Sequence, residues 1–451
     1  MGARRGNDVP RRAPARTGRG RRLTRIVALD VGSSSVRAIA YDEAGEAEPG
    51  DAQLAYDELD ADRLVEACRA VLAQVGEGDA LAVSCFWHSL VALDERDRPL
   101  TPVLTWSDRA GAPPQLDAED YHRRTGCFLH PAYWPAKIER LAREGVAATR
   151  YLSFGDYLLL RLTGEARTSV STASGTGLFD PNKLSWDEET LAALGLQASQ
   201  LAPLSDEPIA GVWPALGDGA CSNVGAGCLT RGRAAVMIGT SAATRVVYEA
   251  PTAEPRPGIF LYRLDERRFC EGGALSDGGN LHAWLVRTLR DLDTSSIDER
   301  PAAAHGLTFL PFLGGERSLG WNPQRRGAIE GLTFATTPLD LAQAALEGVC
   351  YRLADVLDAI GDIESIVATG AALLANEAWP QVLADVLGRP LELSGVPEGS
   401  ARGAALVALE RLGLPVPSAP IARVVEPRRE RYEIHLRSRQ VQRDTMNREA
   451  R

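Results

Sequence analysis

Asp218 stands between Gly217 and Gly219, just past a proline-rich stretch, in a segment that stays rich in small residues as far as Cys228. A carboxylate in so open a backbone can reach an acceptor hydroxyl and take its proton, although a glycine-flanked aspartate is also a common turn residue. Two other segments offer complementary chemistry. Gly32, Ser33, Ser34 and Ser35 form one small-residue turn and Gly239, Thr240 and Ser241 another, each setting a glycine that lets backbone N–H groups approach a ligand beside hydroxyl donors. Asp30, just before the first turn, can hold a divalent cation through water or close its turn with a hydrogen bond. Phosphoryl transfer asks a protein for phosphate anchors, a metal position and a base for the attacking hydroxyl.

Each turn is framed by strand patterns. Residues 25–30 and 36–42 are short apolar, β-branched runs, and 234–238 and 242–248 repeat the arrangement in the later half. Strand, small turn, strand is a hairpin; Rossmann and P-loop sites need a helix after the glycine turn and are excluded. Two such hairpins, roughly two hundred residues apart, predict a duplicated domain whose turns face one shared point. Helical spacing covers 62–74, and a buried strand over 81–86 runs into Trp87, His88 and Ser89. Further on, the pattern predicts a long helix over 340–360, a strand over 364–370, and helices over 379–387 and 400–412. Pro208 and Gly211 mark 203–214 as the expected interdomain connection.

At 451 residues the chain is too long for one core and predicts two or three domains. Its 45% apolar content is that of a globular protein, and no apolar run is long enough to span a membrane as a helix. Seven scattered cysteines, never spaced as CxxC, argue against a disulfide framework or zinc site and for a cytoplasmic location. Nine arginines and one aspartate fall within residues 1–25, so the remaining body is more acidic than the net −10 suggests. That balance argues against nucleic-acid binding, and residues 1–24 are expected to be a disordered basic tail.

These motifs, in order, make the chain resemble the FGGY-type carbohydrate kinases of the actin-like superfamily. The matching stretches are LDVGSSSVRAIAYD from Leu29, HSLVALDERDRPLTPVLTWSDRA from His88, ALGDGACSNVGAGC from Ala215, AVMIGTSAATRVV from Ala235, LPFLGGERSLGWNPQRRGAIEGL from Leu310, ALEGVCYRLADVL from Ala345, and WPQVLADVLGRPL from Trp379 followed by EGSARGAALVAL from Glu398. The resemblance implies an α/β fold of two ribonuclease-H-like domains, with ATP, Mg²⁺ and a small sugar or sugar acid meeting in the cleft. It implies a substrate-side domain over 25–212, a nucleotide-side domain over 213–425, and a charged helical tail over 426–451. Asp218 resembles the family's catalytic base and Asp30 its metal-associated acid. Gly32 to Ser35 and Gly239 to Ser241 resemble its two phosphate loops, and Gly279 and Gly370 the positions that wrap the nucleotide. Trp87, His88, Trp106 and Asp108 fall in its substrate motifs. The segment after Gly370 departs from the family: Ala371, Ala372, Leu373 and Leu374 intervene where more glycine is usual.

The HSL and TWSD motifs look most like gluconate kinases, and a gluconate carboxylate needs a cation, for which Lys137, Arg109 and His130 are the candidates. Lys137 is one of only two lysines in the chain, and its alternative is a snorkelling surface residue. Xylulose or another polyol is the competing substrate. A sugar-binding regulator and an actin-like structural ATPase are the competing classes; residues 1–24 lack the periodicity of a DNA-binding helix, and the sugar motifs argue against the second. A homodimer is compatible with all of these.

Overall fold

The computed structural model describes residues 24–108 and 110–449. The basic tail, apart from Thr24, and the candidate Arg109 lie outside the described residues. The first sheet grows from the first hairpin. Strand β1 (Ile26–Val31) pairs antiparallel with β2 (Ser35–Tyr41), setting Asp30 opposite Arg37, and the Gly32 N–H donates to the Ser35 carbonyl at 2.9 Å to close the turn. Strand β3 (Ala52–Ala55) adds antiparallel to β2, while β4 (Ala80–Cys85) and then β5 (Leu216–Gly217) add in parallel beyond β1, giving the order β3-β2-β1-β4-β5. Parallel neighbours need a crossover, which helix α1 (Ala61–Val75) supplies. Asp60 caps it by accepting from the Arg63 N–H, and Leu64, Val65, Cys68 and Val71 bury its inner face. Helix α2 (Trp134–Arg143) lies in the long insertion between β4 and β5, and helix α3 (Asp218–Gly225) follows β5 directly.

The second sheet repeats the plan. Its strands are β6 (Arg233–Ile238), β7 (Ala242–Glu249), β8 (Phe260–Arg263), β9 (Arg268–Leu275), β10 (Ser365–Thr369), β11 (Leu391–Ser394) and β12 (Ile421–Val425), in the order β8-β9-β7-β6-β10-β11-β12. The inner run β9-β7-β6-β10-β11 matches the first sheet strand for strand, antiparallel on one side of β6 and parallel on the other. This is the duplication that the two hairpins predict, and it gives two α/β domains. Around the second sheet lie α4 (Gly279–Thr288), α5 (Pro338–Ile360) and α6 (Trp379–Leu387); α5 starts at a capping box of Thr337 and Asp340 with Pro338 behind it. Helix α7 (Gly399–Arg411) follows β11, and α8 (Arg429–Glu449) ends the described chain. No helix among the described residues is long and apolar enough to cross a membrane.

Two expectations need restating. Residues 203–214 do not leave the first sheet: the Trp213 N–H donates to the Leu81 carbonyl at 2.9 Å and Val212 bridges to Leu81. The crossing is made by α3 and returned by α7, because β5 still adds to the first sheet after the proline-rich stretch. The charged C-terminal segment is a helix, but a docked one: Arg439 Nε donates to Asp355 at 2.7 Å and Gln442 Nε2 to the Phe309 carbonyl at 2.7 Å.

Helices α3 and α7 meet backbone to backbone. A Cβ on Gly225 would lie 2.0 Å from the Gly399 carbonyl oxygen, and one on Gly403 would lie 1.8 Å from that of Cys221. Along its length α7 also buries Ala401, Ala404, Ala405 and Leu406 in one cluster with Ile26, Ala28, Ile39 and Ala82 of the first sheet. Arg402 fastens the crossing, donating to the carbonyls of Gly45, Gly225 and Ser418 at 3.2, 2.8 and 3.1 Å. Gly403→Ala is therefore expected to destabilise the fold by about 1–3 kcal/mol through overpacking against backbone that cannot rotate away. Equilibrium denaturation checks this; an unchanged midpoint would mean that the helices can separate freely.

Candidate active site

A cavity of about 230 Å³ lies between the two sheets. Its wall includes Asp30, Asp218, Gly219, Gly239, Thr369, Gly370, Glu398 and Gly399, so residues from both halves of the duplication share one space. Asp30 reaches it from the end of β1, with its carboxylate accepting from Ser84 Oγ at 2.6 Å. Burial pushes its pKa up to about 6; the Ser84 hydrogen bond works against that rise, and the Asp218 charge adds to it.

Asp218 is the first residue of α3, where the exposed N–H groups of a helix start favour a carboxylate. Its Oδ1 accepts from the Gly219 N–H at 2.8 Å and, more weakly, from the Trp87 N–H at 3.4 Å. Burial raises its pKa, and Arg245 holds part of that rise back. The two flanking glycines have a reason other than an open backbone. A Cβ on Gly217 would lie 1.9 Å from the Trp87 indole, and one on Gly219 would lie 2.7 Å from that indole and 2.8 Å from the Arg245 guanidinium. Trp87 is pinned in turn by its Nε1–H on the Ser171 carbonyl at 3.0 Å. The glycines thus seat Asp218 on a tryptophan.

The second turn is backed by α4: the Gly279 N–H donates to the Gly239 carbonyl at 2.8 Å and the Asn280 N–H to that of Thr240 at 3.0 Å. Gly279 itself stands behind the cavity. Gly370 adopts φ 97°, and a side chain there would collide with the Ile238 carbonyl at 2.4 Å. A short helix, Ala371–Ala375, starts immediately after it, where the sequence departs from the family. The first turn follows Asp30, with Ser33 and Ser34 exposed at its tip, and does not line this cavity. Glu398, which sequence reading passed over, pairs with Arg37 and ties the loop before α7 to β2.

The substrate-motif residues gather beside Trp87. His88, at φ 67°, hydrogen-bonds through Nδ1 to the Gly175 carbonyl at 2.6 Å, which makes Nδ1 the donor and Nε2 an acceptor. Burial, with Arg317 and Lys137 nearby, holds its pKa well below the usual histidine range, so the ring is neutral. Trp106 lies under the Arg317 guanidinium, 5.3 Å from ring centroid to Cζ. Asp108 accepts from the Thr105 N–H at 2.6 Å and closes the turn that carries Trp106. Lys137 is fully buried rather than snorkelling: its Nζ donates to the His88 carbonyl at 2.5 Å, and burial pulls its pKa down to about 7. His130 accepts from the Ala132 N–H at 3.1 Å and meets Trp321 edge-on.

Sequence reading missed Arg245 and Arg317, which sit inside AVMIGTSAATRVV and LPFLGGERSLGW. Each is 8% exposed, and Nε of both, with Nη1 of Arg245, finds no hydrogen-bond partner. A lone arginine within the small apolar run of β7 was the available signal for Arg245; nothing local marked Arg317.

Residues 25–211 match the FGGY family of carbohydrate kinases, N-terminal domain, and 234–410 the C-terminal domain of the same family. The chain belongs to this family. This FGGY kinase is 27% identical to a gluconokinase from Bacillus subtilis, over 86% of this chain and 88% of that one. It is 28% identical to a xylulose kinase from Escherichia coli (strain K12), over 85% and 89%. Its fold superposes on the crystal structure of a gluconate kinase from Lactobacillus acidophilus with TM-score 0.83 and 24% identity, over 94% and 98%. FGGY kinases phosphorylate sugars with ATP and a divalent metal. Among the described residues no cluster of three metal-ligating side chains exists. Two carboxylates in one cavity still suit a hard cation, which usually takes one or two protein carboxylates and completes its shell with water and phosphate oxygens.

An acid whose pKa is raised in the fold is a stronger base once ionised and loses function as pH falls through that raised value. The acidic limb of kcat/KM is therefore expected near pH 6, where Asp30 gains its proton, rather than near the ordinary 3.8. The same shift means that ionised Asp30 weakens the folded state above pH 4. Asp30→Asn is expected to stabilise the ligand-free protein at pH 7 by about 1–3 kcal/mol while lowering turnover. Thermal unfolding with and without ligands checks this; a less stable variant would mean that Asp30 supports the fold.

Proposed function

We propose that this FGGY kinase transfers the γ-phosphoryl group of ATP to a hydroxyl of a small sugar acid, with gluconate preferred. The observation that carries the reading is the shared cavity: Asp218, seated at a helix start, opens into the space that holds Asp30, Gly239 and Gly370 and touches the backbone of Trp87, next to His88. In the proposed step Asp218 accepts the proton of the acceptor hydroxyl as its oxygen forms the new P–O bond and ADP departs. Asp30 would hold a divalent cation, which would supply charge neutralisation for the phosphates. The exposed hydroxyls of Ser33 and Ser34 in the Gly32 to Ser35 turn, and of Thr240 in Gly239 to Ser241, hold the phosphates at the edge of the cavity, with Gly279 and Gly370 shaping the nucleoside side. Neutral His88 offers Nε2 as an acceptor to a sugar hydroxyl, Trp106 packs on the carbon chain, and Asp108 and Lys137 fix the backbone that presents them.

The preference for an acid rests on charge. Two arginines, Arg245 and Arg317, are buried near Asp218, and Arg317 is also near His88, in an otherwise acidic protein. A neutral ketose would leave that charge unanswered. The equal likeness to a xylulose kinase supports xylulose as the second reading.

Asp218→Asn is expected to lower sugar-dependent turnover by about 10²–10⁴-fold while nucleotide affinity stays within a factor of a few. Coupled ADP release and nucleotide titration check this; retention of a tenth of the activity would assign the proton to another group. In the native enzyme, kcat/KM for gluconate should exceed that for xylulose at least tenfold, about 1.4 kcal/mol. Equal or better turnover of xylulose would shift the reading to a ketose kinase.

A further inference from the structure

Buried arginines in this protein are almost all answered. Arg352 pairs with Asp355 and Glu316, Arg268 with Asp265 and Glu410, and Arg402 spends its donors on three carbonyls. Arg317 is as deeply placed, yet among the described residues no acid lies within ion-pair distance of it and its buried Nε finds no hydrogen-bond partner. Its surroundings are aromatic: Trp106 at 5.3 Å and Trp321 at 6.0 Å from Cζ to ring centroid, with the Tyr133 and Tyr262 hydroxyls, themselves bonded at 2.5 Å, close by. Arg245, the other unanswered guanidinium, lies against Gly219 and has Asp218 as its anionic neighbour. A planar fork of donors, desolvated and unpaired in an aromatic box, is suited to a carboxylate that arrives with the ligand.

We propose that Arg317 is the specificity-determining residue of the sugar site, its guanidinium pairing with the terminal carboxylate of an acyclic sugar acid between Trp106 and Trp321. The inference rests on the phosphotransfer reading above and names the group that selects its substrate. Among the described residues the other candidate cations serve differently. Lys137 is spent on the His88 carbonyl, and Nδ1 of His130 is spent on the Ala132 N–H. Arg317 also lies within Coulombic reach of Asp218. An extended six-carbon chain, five C–C bonds of about 1.5 Å each, can then set its carboxylate at Arg317 and its far hydroxyl toward Asp218.

The test compares gluconate with glucitol, the same carbon chain carrying a CH₂OH in place of the carboxylate, in the native enzyme and in Arg317→Gln and Arg317→Lys. Arg317→Gln is expected to lower kcat/KM for gluconate at least 100-fold and the gluconate-to-glucitol ratio at least tenfold, mostly through KM. Arg317→Lys keeps the charge but loses the fork, and its ratio should fall in between. Equal losses for both acceptors, or an unchanged gluconate KM, would overturn the proposal. If Arg317→Gln does not fold, the ratio in Arg317→Lys decides: a fall of threefold or more supports the assignment and an unchanged ratio overturns it. Native enzyme that phosphorylates glucitol or xylulose but not gluconate overturns the proposal and leaves phosphotransfer standing. If no acceptor releases ADP, phosphotransfer itself falls, and calorimetric titration with gluconate decides Arg317: weaker binding in the variants supports it, equal binding overturns it.

Discussion

The contact on which the rest of the structure depends is the crossing of α3 and α7, where Gly225 meets Gly399 and Gly403 meets Cys221 with no side chain between. Two helices can approach this closely only where glycine removes Cβ, and the approach fixes their separation far more tightly than interdigitated leucines would. The whole candidate site is referenced to it. Asp218 is the first residue of one helix, Glu398 and Gly399 open the other, and the first sheet packs against the small residues of α7. A fraction of an ångström lost here would move the proposed base relative to Asp30 and the second turn, although the crossing touches no ligand.

The site is held in a costly electrostatic state. Desolvation pushes Asp30 and Asp218 toward protonation and His88, Lys137 and Arg317 toward neutrality. Each group is therefore less stable, ionised and alone, than it would be in water. Groups buried against their own solvation persist because the surrounding fold over-determines them, and such strain concentrates where ligands complete the charge balance. The surrounding interactions are identifiable: Trp87 under the two glycines, the Gly175 carbonyl on His88, and the capped turn that carries Trp106.

What could be read in the sequence was what depends on near neighbours. The two hairpins, α1 and α5 announce themselves by strand runs, turn glycines and helical spacing, and the structure places them within a residue or two of the expected bounds. Asp218 was legible as a residue type but not as a helix start, because the reason for its glycines, Trp87, lies 131 positions away. The same limit applied to cations. Lys137 stood out for its rarity, and the fold turned it onto a carbonyl; Arg317 looked like any of the chain's many arginines until the fold buried it with Nε unpartnered. Pairing of a buried charge is a tertiary property, and local pattern cannot report it.

The duplication explains why one cavity can hold two kinds of chemistry. Matching β1 with β6 sets Asp30, Val31 and Gly32 against Met237, Ile238 and Gly239, so both halves keep the glycine turn while only one keeps the acid. Matching β5 with β11 makes α3 and α7 counterparts, and these are the two helices that cross on their glycines. The acids near the helix starts have diverged as well: Asp218 lines the cavity with no arginine bonded to it, whereas Glu398 is spent on Arg37. A symmetric pair would have put two acids before the turns and two free acids at the helix starts, four negative charges in a space of about 230 Å³. Like charges that close cannot all ionise, so a symmetric site could not keep its base deprotonated. Replacing one acid by methionine and answering another with arginine leaves one carboxylate beside the first turn and one at the helix start. The fold is symmetric because packing repeats well, and the site is asymmetric because charge does not.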